Sequence, residues 1–402
     1  MTAPNPDERP AETAVIGDAL SPKGPDLIRW RHHLHQLAET AFGEYRTASF
    51  VADIMRSLNI DVTTGIGGTG VVGTLTRGTS RRSIGLRSDM DGLPIQERTG
   101  LEYASRQEGS MHACGHDGHM TMVLGAAAAL AEDENLDGTV HFVFQPAEEP
   151  GEGAAAMIAD GLFDRFPMDA IFGLHNIPGL QAGQLATRAG AIMAGEDNFV
   201  ITITGRGGHA SAPQRVIDPL VVSAHIVIAL QTIVARSIDP VSSAVVSCTD
   251  VTTDGARNAI PTVVRITGDT RNFEPEISSF LERRIREIAE HTARAHGANA
   301  EVVYTREFAT TVNHPDATAM AIRVAASVVD AEFCDANTPP IMASEDFGVY
   351  AGHVPANFTL IGNGVDGATG GLPLHSHDYD FNNAVLPVGV RYYCGLVREI
   401  LS

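Results

Sequence analysis

His112-Ala113-Cys114-Gly115-His116-Asp117-Gly118-His119 packs three imidazoles, a thiol and a carboxylate into eight residues. It runs directly into Met120-Thr121-Met122-Val123-Leu124-Gly125-Ala126-Ala127-Ala128-Ala129-Leu130. The first half concentrates soft and borderline metal donors around two glycines, which let the backbone fold tightly enough for side chains two apart to converge. The second half is a strong helix former. A ligand loop at a helix N-terminus is the arrangement of α/β proteins, whose sites gather where strands hand over to helices. A structural zinc knuckle would need Cys-x-x-Cys pairs, which are missing here. An open metal site completed from elsewhere in the chain fits better.

Strands and helices alternate on both sides of this segment. Apolar spacing predicts helices over 26–37 and 46–58, short strands over 70–75 and 83–88, and a helix beginning after Gly118. Strands follow at 140–145 and 169–174, rich in β-branched and aromatic residues. This order implies an α/β sheet covered on both faces. The pattern changes near Gly190. A strand over 199–204, a helix over 219–235, strands over 244–251 and 262–267, an amphipathic helix over 275–295 and a strand over 300–304 make a β-α-β-β-α-β order. That is the ferredoxin-like arrangement, read as a compact inserted α+β domain. The chain returns with a helix over 317–329, a strand over 358–361 and a last helix from about Pro387, a residue suited to the first helical position, to Leu401. The expected fold is therefore an α/β catalytic domain (25–197 and 308–402) with a central, mostly parallel sheet flanked by helices. The inserted domain spans 198–307, and 1–24 is a mobile tail.

A chain of 402 residues is too long for one ordinary core. Lys+Arg 28 against Asp+Glu 49 gives a net charge of -21, which argues against nucleic acid or an anionic membrane as the main partner. An anionic small substrate stays open, because bound metal ions can reverse the local field. Cys114, Cys248, Cys334 and Cys394 are few and scattered, the reduced usage of a cytoplasmic protein. The opening Met1-Thr2-Ala3-Pro4-Asn5-Pro6-Asp7-Glu8 is acidic and proline-rich and reads as no secretory signal. No apolar run reads as long enough to cross a bilayer.

Four further places bear acidic or imidazole groups where a strand should meet a loop. They are Arg87-Ser88-Asp89-Met90-Asp91-Gly92, Gln145-Pro146-Ala147-Glu148-Glu149-Pro150-Gly151, Leu174-His175-Asn176 and Leu374-His375-Ser376-His377-Asp378-Tyr379. The paired Glu148-Glu149 points to mechanism. One carboxylate can ligate a cation while the other stays free to take a proton from water at that cation and deliver it to a leaving nitrogen. By itself such a pair is more often a solvated acidic turn; beside the His-Cys cluster it is not.

The chain resembles the metal-dependent amidohydrolases related to aminoacylases and carboxypeptidases, in the group of hippurate hydrolase and indoleacetyl-amino-acid hydrolases. The resemblance rests on Ser88-Asp89-Met90-Asp91-Gly92-Leu93-Pro94, Met111-His112-Ala113-Cys114-Gly115-His116-Asp117, Gln145-Pro146-Ala147-Glu148-Glu149 and Leu174-His175-Asn176. It continues through Gly207-Gly208-His209-Ala210, Asn258-Ala259-Ile260-Pro261, Ser344-Glu345-Asp346-Phe347 and Leu374-His375, in family order over nearly the whole chain. It implies two divalent ions per subunit (zinc, manganese, cobalt or nickel) held by Cys114, His116, Glu149, His175 and His375, with Glu148 as general base. Asp89, Asp91, Asp117 and His119 would orient the ligands through hydrogen bonds. The family pattern puts the ligand directly after Leu374, so His375 is chosen over His377. His32, His33 and His35 are expected on an exposed helix face. The inserted domain would mediate a homodimer, His209 would reach a developing oxyanion, in its own subunit or its partner's, and Asn258 and Arg271 would grip a substrate carboxylate.

Three departures stand out. His35-Gln36-Leu37-Ala38-Glu39 replaces a usual His-x-x-Pro-Glu, Asp254-Gly255 stands where Gly-Gly or Gly-Thr is common, and Gly268-Asp269-Thr270-Arg271-Asn272-Phe273 varies Gly-Thr-x-Arg-Thr-Phe. None removes a ligand or the base. The implied activity is hydrolysis of an N-acyl-amino acid to a carboxylic acid and an amino acid. A carboxypeptidase or dipeptidase on the same scaffold is the nearest alternative. A silent metal-binding scaffold is disfavoured by the presence of Glu148 with all five ligands.

Overall fold

Ser83–Asp89 is a strand buried at every residue, as a strand covered on both faces must be. It lies in an eight-stranded sheet of a computed structural model that describes residues 27–401. The expected tail, 1–24, and the first expected helical residue, Asp26, lie outside the described residues. Gly138–Gln145, Ser83–Asp89, Ala170–Pro178 and Ala356–Gly364 are spatial neighbours in that order, and all three pairings are parallel. Antiparallel pairings flank this centre. Gly70–Arg77 and Asp61–Ile66 stand at one edge; beyond Ala356–Gly364, toward the other, come Leu185–Ala186, antiparallel to it, and the edge strand Cys334–Asp335, which pairs parallel with Leu185–Ala186. The mostly parallel sheet is thus parallel at its centre, with antiparallel pairings on either side. Asp61–Ile66 was not anticipated from the sequence because it is a largely exposed edge with no apolar run.

The helix expected after Gly118 starts earlier, at His116, and runs to Ala131. Gly115 turns the chain into it at φ 90, where a side chain is disfavoured and a Cβ would sit 2.3 Å from Asn176 Oδ1. His116, Asp117 and His119 are therefore on the first helical turn rather than on a loop. The helix is buried almost all round, which is why it shows no amphipathic period. Its Met120, Leu124 and Ala127 share a core with Phe142, Phe172, Ile361, Tyr393 and Leu396.

The helix Leu27–Leu37 corrects one expectation. His35 is fully buried, not exposed: its Nδ1 lies 2.8 Å from Asp117 Oδ2 and its Nε2 3.3 Å from Glu97 Oε2. His32 is half-buried and stacks on Tyr103, and only His33 is exposed. Ala38 sits at φ 31, a conformation that proline's ring forbids.

The chain divides into two compact units. One holds the chain up to Ile192, Val312–Pro339 and the stretch from Asp346; the other holds Met193–Thr311 and Pro340–Glu345. The second unit has the expected β-α-β-β-α-β order. Its four antiparallel strands lie in the order Ala244–Thr253, Val263–Asn272, Gly195–Thr204, Asn299–Phe308. Two helices, Pro219–Ser237 and Pro275–Ala295, bring Val222, Ile226, Leu230, Leu281, Ile285 and Ala289 onto Phe199, Ile201 and Ile266. Contrary to the expectation for the chain, Pro219–Ser237 is long and apolar enough to cross a membrane, by length and composition only. Its buried residues recur at helical spacing along one stripe, as in the core helix of an α+β layer, while Leu220, Val221 and Ile228 are exposed.

Candidate metal centre

Six side chains of the first unit converge at the carboxyl ends of the parallel strands. Cys114 precedes the helix and His116 opens it. Glu148 and Glu149 lie in the turn after Gly138–Gln145, and His175 lies near the end of Ala170–Pro178. His375 sits in a turn at φ 61, its N–H donated to Ala113 O at 2.9 Å. Cys114 Sγ is 3.5 Å from His175 Nε2, and His375 Nε2 is 3.6 Å from Glu149 Oε2. His116 Nε2 is 3.9 Å from both Glu149 Oε1 and Glu148 Oε2. Donor atoms of Cys114, Glu149 and His375 fall within 4.8 Å of one another, as do those of His116, Glu148 and Glu149, so Glu149 belongs to both groups. His377 is exposed and turns its Nδ1 to Gln96 O at 2.8 Å, outside these groups.

The donor set fits a cation. His116 Nδ1 donates to Asp91 O at 2.8 Å, which leaves Nε2 as the lone-pair nitrogen. That Nε2 and Glu149 Oε1 are buried with no hydrogen-bond partner. Each such orphan costs about 1–3 kcal/mol, a cost that a bound cation would offset. His175 Nδ1 is likewise committed, at 2.6 Å from Asn176 O, and leaves Nε2 beside the Cys114 sulfur.

The field is that of a cation site. Burial alone would depress His116, but Asp89 and Asp91 raise its pKa to about 10. Burial pushes the Glu149 carboxyl up, with Asp91 and Asp89 adding to the rise against the pull of His116. Burial and His119 hold His175 well below the usual range, the neutral form a ligand needs. Without a cation the Asp89 and Asp91 carboxylates favour a second proton on His116, at Nε2, and a metal ion must displace it. Metal affinity is expected to rise with pH, about tenfold per unit for each proton displaced. Competition with a chelator of known affinity from pH 7 to 9 checks this, and a flat profile would contradict it.

The supporting groups are nearly all buried. Asp89 Oδ1 lies 2.7 Å from His119 Nδ1, and its Oδ2 accepts from Arg87 Nη1 at 2.9 Å. Arg87, about 1% exposed, also reaches Gln145 Oε1 at 2.9 Å and Asp346 Oδ1 at 3.1 Å. Asp91 accepts the backbone N–H of Glu148 at 3.0 Å and of Glu149 at 3.1 Å. His119 Nε2 accepts from the Asn176 N–H at 3.0 Å. Asp117 reaches Arg31 and His35 rather than a metal donor.

The remaining residues singled out from the sequence lie in the second unit. His209 is exposed, its Nδ1 accepting from the Ser211 hydroxyl at 2.7 Å. It pairs with Ala259 across a two-stranded ladder, so Asn258 is its neighbour, and Asn258 O accepts from the Ala210 N–H at 3.0 Å. Arg271 is engaged by Glu196 at 2.8 Å, Asp269 at 2.9 Å, Met342 O at 3.0 Å and Ser344 Oγ at 2.9 Å.

One residue next to the site carried no signal in the sequence. Glu44 is fully buried and accepts the N–H of Ala147 at 2.9 Å, directly before Glu148. Ala147 has φ 49, a conformation that costs a non-glycine residue about 1–2 kcal/mol.

Comparison with known proteins agrees with this geometry. The family model for peptidase family M20/M25/M40 matches residues 85–399. Hippurate hydrolase of Campylobacter jejuni is 39% identical over 388 residues, 96% of this chain and 100% of that protein. The IAA-amino acid hydrolase ILR1-like 2 of Arabidopsis thaliana is 37% identical over 97% of this chain and 89% of its own length. Among solved structures, the YXEP protein of Bacillus subtilis, a dinuclear metal-binding peptidase from the M20 family, superposes with a TM-score of 0.80 at 30% identity, covering 93% of this chain and 97% of that one. With the donor set and the sequence likeness both in place, this chain belongs to peptidase family M20/M25/M40.

Proposed function

We propose that the protein hydrolyses N-acyl-amino acids, with Cys114, His116, Glu149, His175 and His375 holding two divalent ions and Glu148 as the base. The observation that carries this reading is the placement of Glu148 beside His116 and Glu149, in a group of donors with buried, unsatisfied atoms. Hippurate and indoleacetyl-amino acids, the substrates in the names of two relatives, are both acyl groups in amide linkage to an amino acid.

Divalent ions, whether zinc, manganese, cobalt or nickel, supply Lewis acidity and a lowered water pKa when bound. Glu148 accepts the proton of the attacking water and passes it to the departing nitrogen. Asp91 fixes the backbone of Glu148 and Glu149, and Asp89 and His119 hold the surrounding frame. A screen of N-acyl-amino acids against dipeptides, with metal-reconstituted protein, tests the reading. Cleavage of dipeptides alone would favour a carboxypeptidase or dipeptidase.

In this reading residues 25–197 and 308–402 are the catalytic part, and 198–307 form a homodimer in the cytoplasm. The four cysteines, none of them in a disulfide, and the net charge of -21 support that location and argue against nucleic acid or membrane partners. Support for the dimer comes from the edge strand Ala244–Thr253 and from Leu220, Val221 and Ile228, which the second unit leaves exposed. Asn258 grips the substrate carboxylate; Arg271 does so only by exchanging an internal carboxylate for the substrate's. His209 stabilises the oxyanion, in its own site or its partner's.

His209→Ala should lower kcat more than it weakens metal binding. If His209 acts across the dimer, mixing His209→Ala with Glu148→Gln subunits should restore part of the activity, because a mixed dimer holds one intact site. A fully active monomer at assay concentration would defeat the trans arrangement. An unimpaired His209→Ala dimer would defeat the catalytic role.

A further inference from the structure

Glu44 stands at the start of the helix Tyr45–Ser57, yet its side chain does not cap that helix. Glu39 does so instead, accepting the N–H groups of Arg46 and Thr47, each at 2.9 Å. The Glu44 carboxylate is directed elsewhere. Its Oε1 takes the N–H of Ala147, 103 residues away along the chain, and its Oε2 takes the Thr69 hydroxyl. No cation faces it among the ion pairs of the described residues, and burial pushes its carboxyl pKa up against those two hydrogen bonds.

The turn it holds is unusual. Ala147 is left-handed, and its carbonyl accepts the N–H of Gly153 at 2.9 Å, so both faces of the residue are pinned. Gly153 is required for that approach, since a Cβ there would lie 1.6 Å from Pro146 O. The next two N–H groups, of Glu148 and Glu149, end on Asp91. Three consecutive amides therefore terminate on carboxylate oxygens from two distant segments. A carboxylate accepts from two sides at once, which suits it to this junction.

We propose that Glu44, backed by Thr69, is a positioning residue that locks the left-handed turn at Ala147 and so presents Glu148 and Glu149 to the metal centre. The proposal rests on the base and ligand roles assigned to those two residues. Glu44 touches no reacting atom and acts through the backbone. Misplacing a base by a fraction of an ångström lowers turnover without altering substrate affinity.

The test combines hydrogen exchange of the 145–153 segment in the metal-free protein with kcat and KM at saturating metal. Glu44→Ala should exchange the 147–149 amides about tenfold faster and lose about tenfold in kcat, with KM within about twofold. Glu44→Gln keeps an acceptor for Ala147 and a donor for Thr69, so it should recover to within about threefold of the parent. Should Glu44→Ala fail to fold, Thr69→Val reads the same effect at smaller size. Unchanged exchange at 147–149 would overturn the proposal, as would unchanged kcat at equal metal content or an equal loss in Glu44→Gln. If the parent hydrolyses no N-acyl-amino acid, the functional reading fails, and the exchange measurement still decides whether Glu44 holds the turn.

Discussion

Glu148→Gln is expected to retain both metal ions and to lose on the order of 100-fold or more in kcat, the scale of a positioned general base. The amide keeps the shape of the carboxylate, and the backbone N–H of residue 148 still meets Asp91 Oδ1 at 3.0 Å. The donor group of Cys114, Glu149 and His375 is left intact, and His116 and Glu149 remain in the group that Glu148 shares with them. What disappears is the ability to accept a proton. Metal analysis of the variant beside steady-state rates on the best N-acyl-amino acid separates the two effects. Turnover within about tenfold of the parent at full metal content would remove Glu148 from the base role.

Arg87→Met should cost about 3–5 kcal/mol of stability in the first unit, the usual consequence of removing one partner from a buried ion pair. Arg87 is nearly the same volume as methionine along its stem, but its guanidinium faces Asp89 at 2.9 Å and Asp346 at 3.1 Å, all three groups at most 1% exposed. Losing it leaves two carboxylates without their cation. Gln145 Nε2 and the Ala154 N–H still serve Asp346, and His119 still serves Asp89, so the lower end of the range is favoured. Trp30, the single tryptophan, lies in the first unit, and its fluorescence during urea unfolding follows that unit alone. A midpoint within error of the parent would show that the two acids are satisfied without Arg87. Metal binding should recover part of the loss, since cations next to Asp89 replace some of the missing charge.

Much of the architecture was legible because it is written locally. A strand buried on both faces is rich in β-branched and aromatic residues, and Val140, Phe142, Val143 and Phe144 supply them in 140–145. The alternation over 199–204 is the period of a half-buried strand, and Gly195–Thr204 is buried at every second residue. The edge Asp61–Ile66 escaped because only its neighbour, not its own composition, makes it a strand. The helix start was misjudged by three residues because the sequence does not say which of Gly115 and Gly118 turns the chain. The tertiary neighbour Asn176 decides it.

By itself the sequence determined the donor types, their order along the chain and the paired glutamates, since metal affinity follows from side-chain chemistry that survives in one dimension. Only the tertiary structure decided which donors meet. It placed His375 rather than His377 by Glu149. It buried His35 against Asp117, 82 residues on. It joined Arg87 to Asp346 across 259 residues, and Glu44 to the turn before the base. The physical reason is the same in each case. A buried charge is tolerated only where a distant segment brings its partner, and no local period or motif records where that segment will arrive.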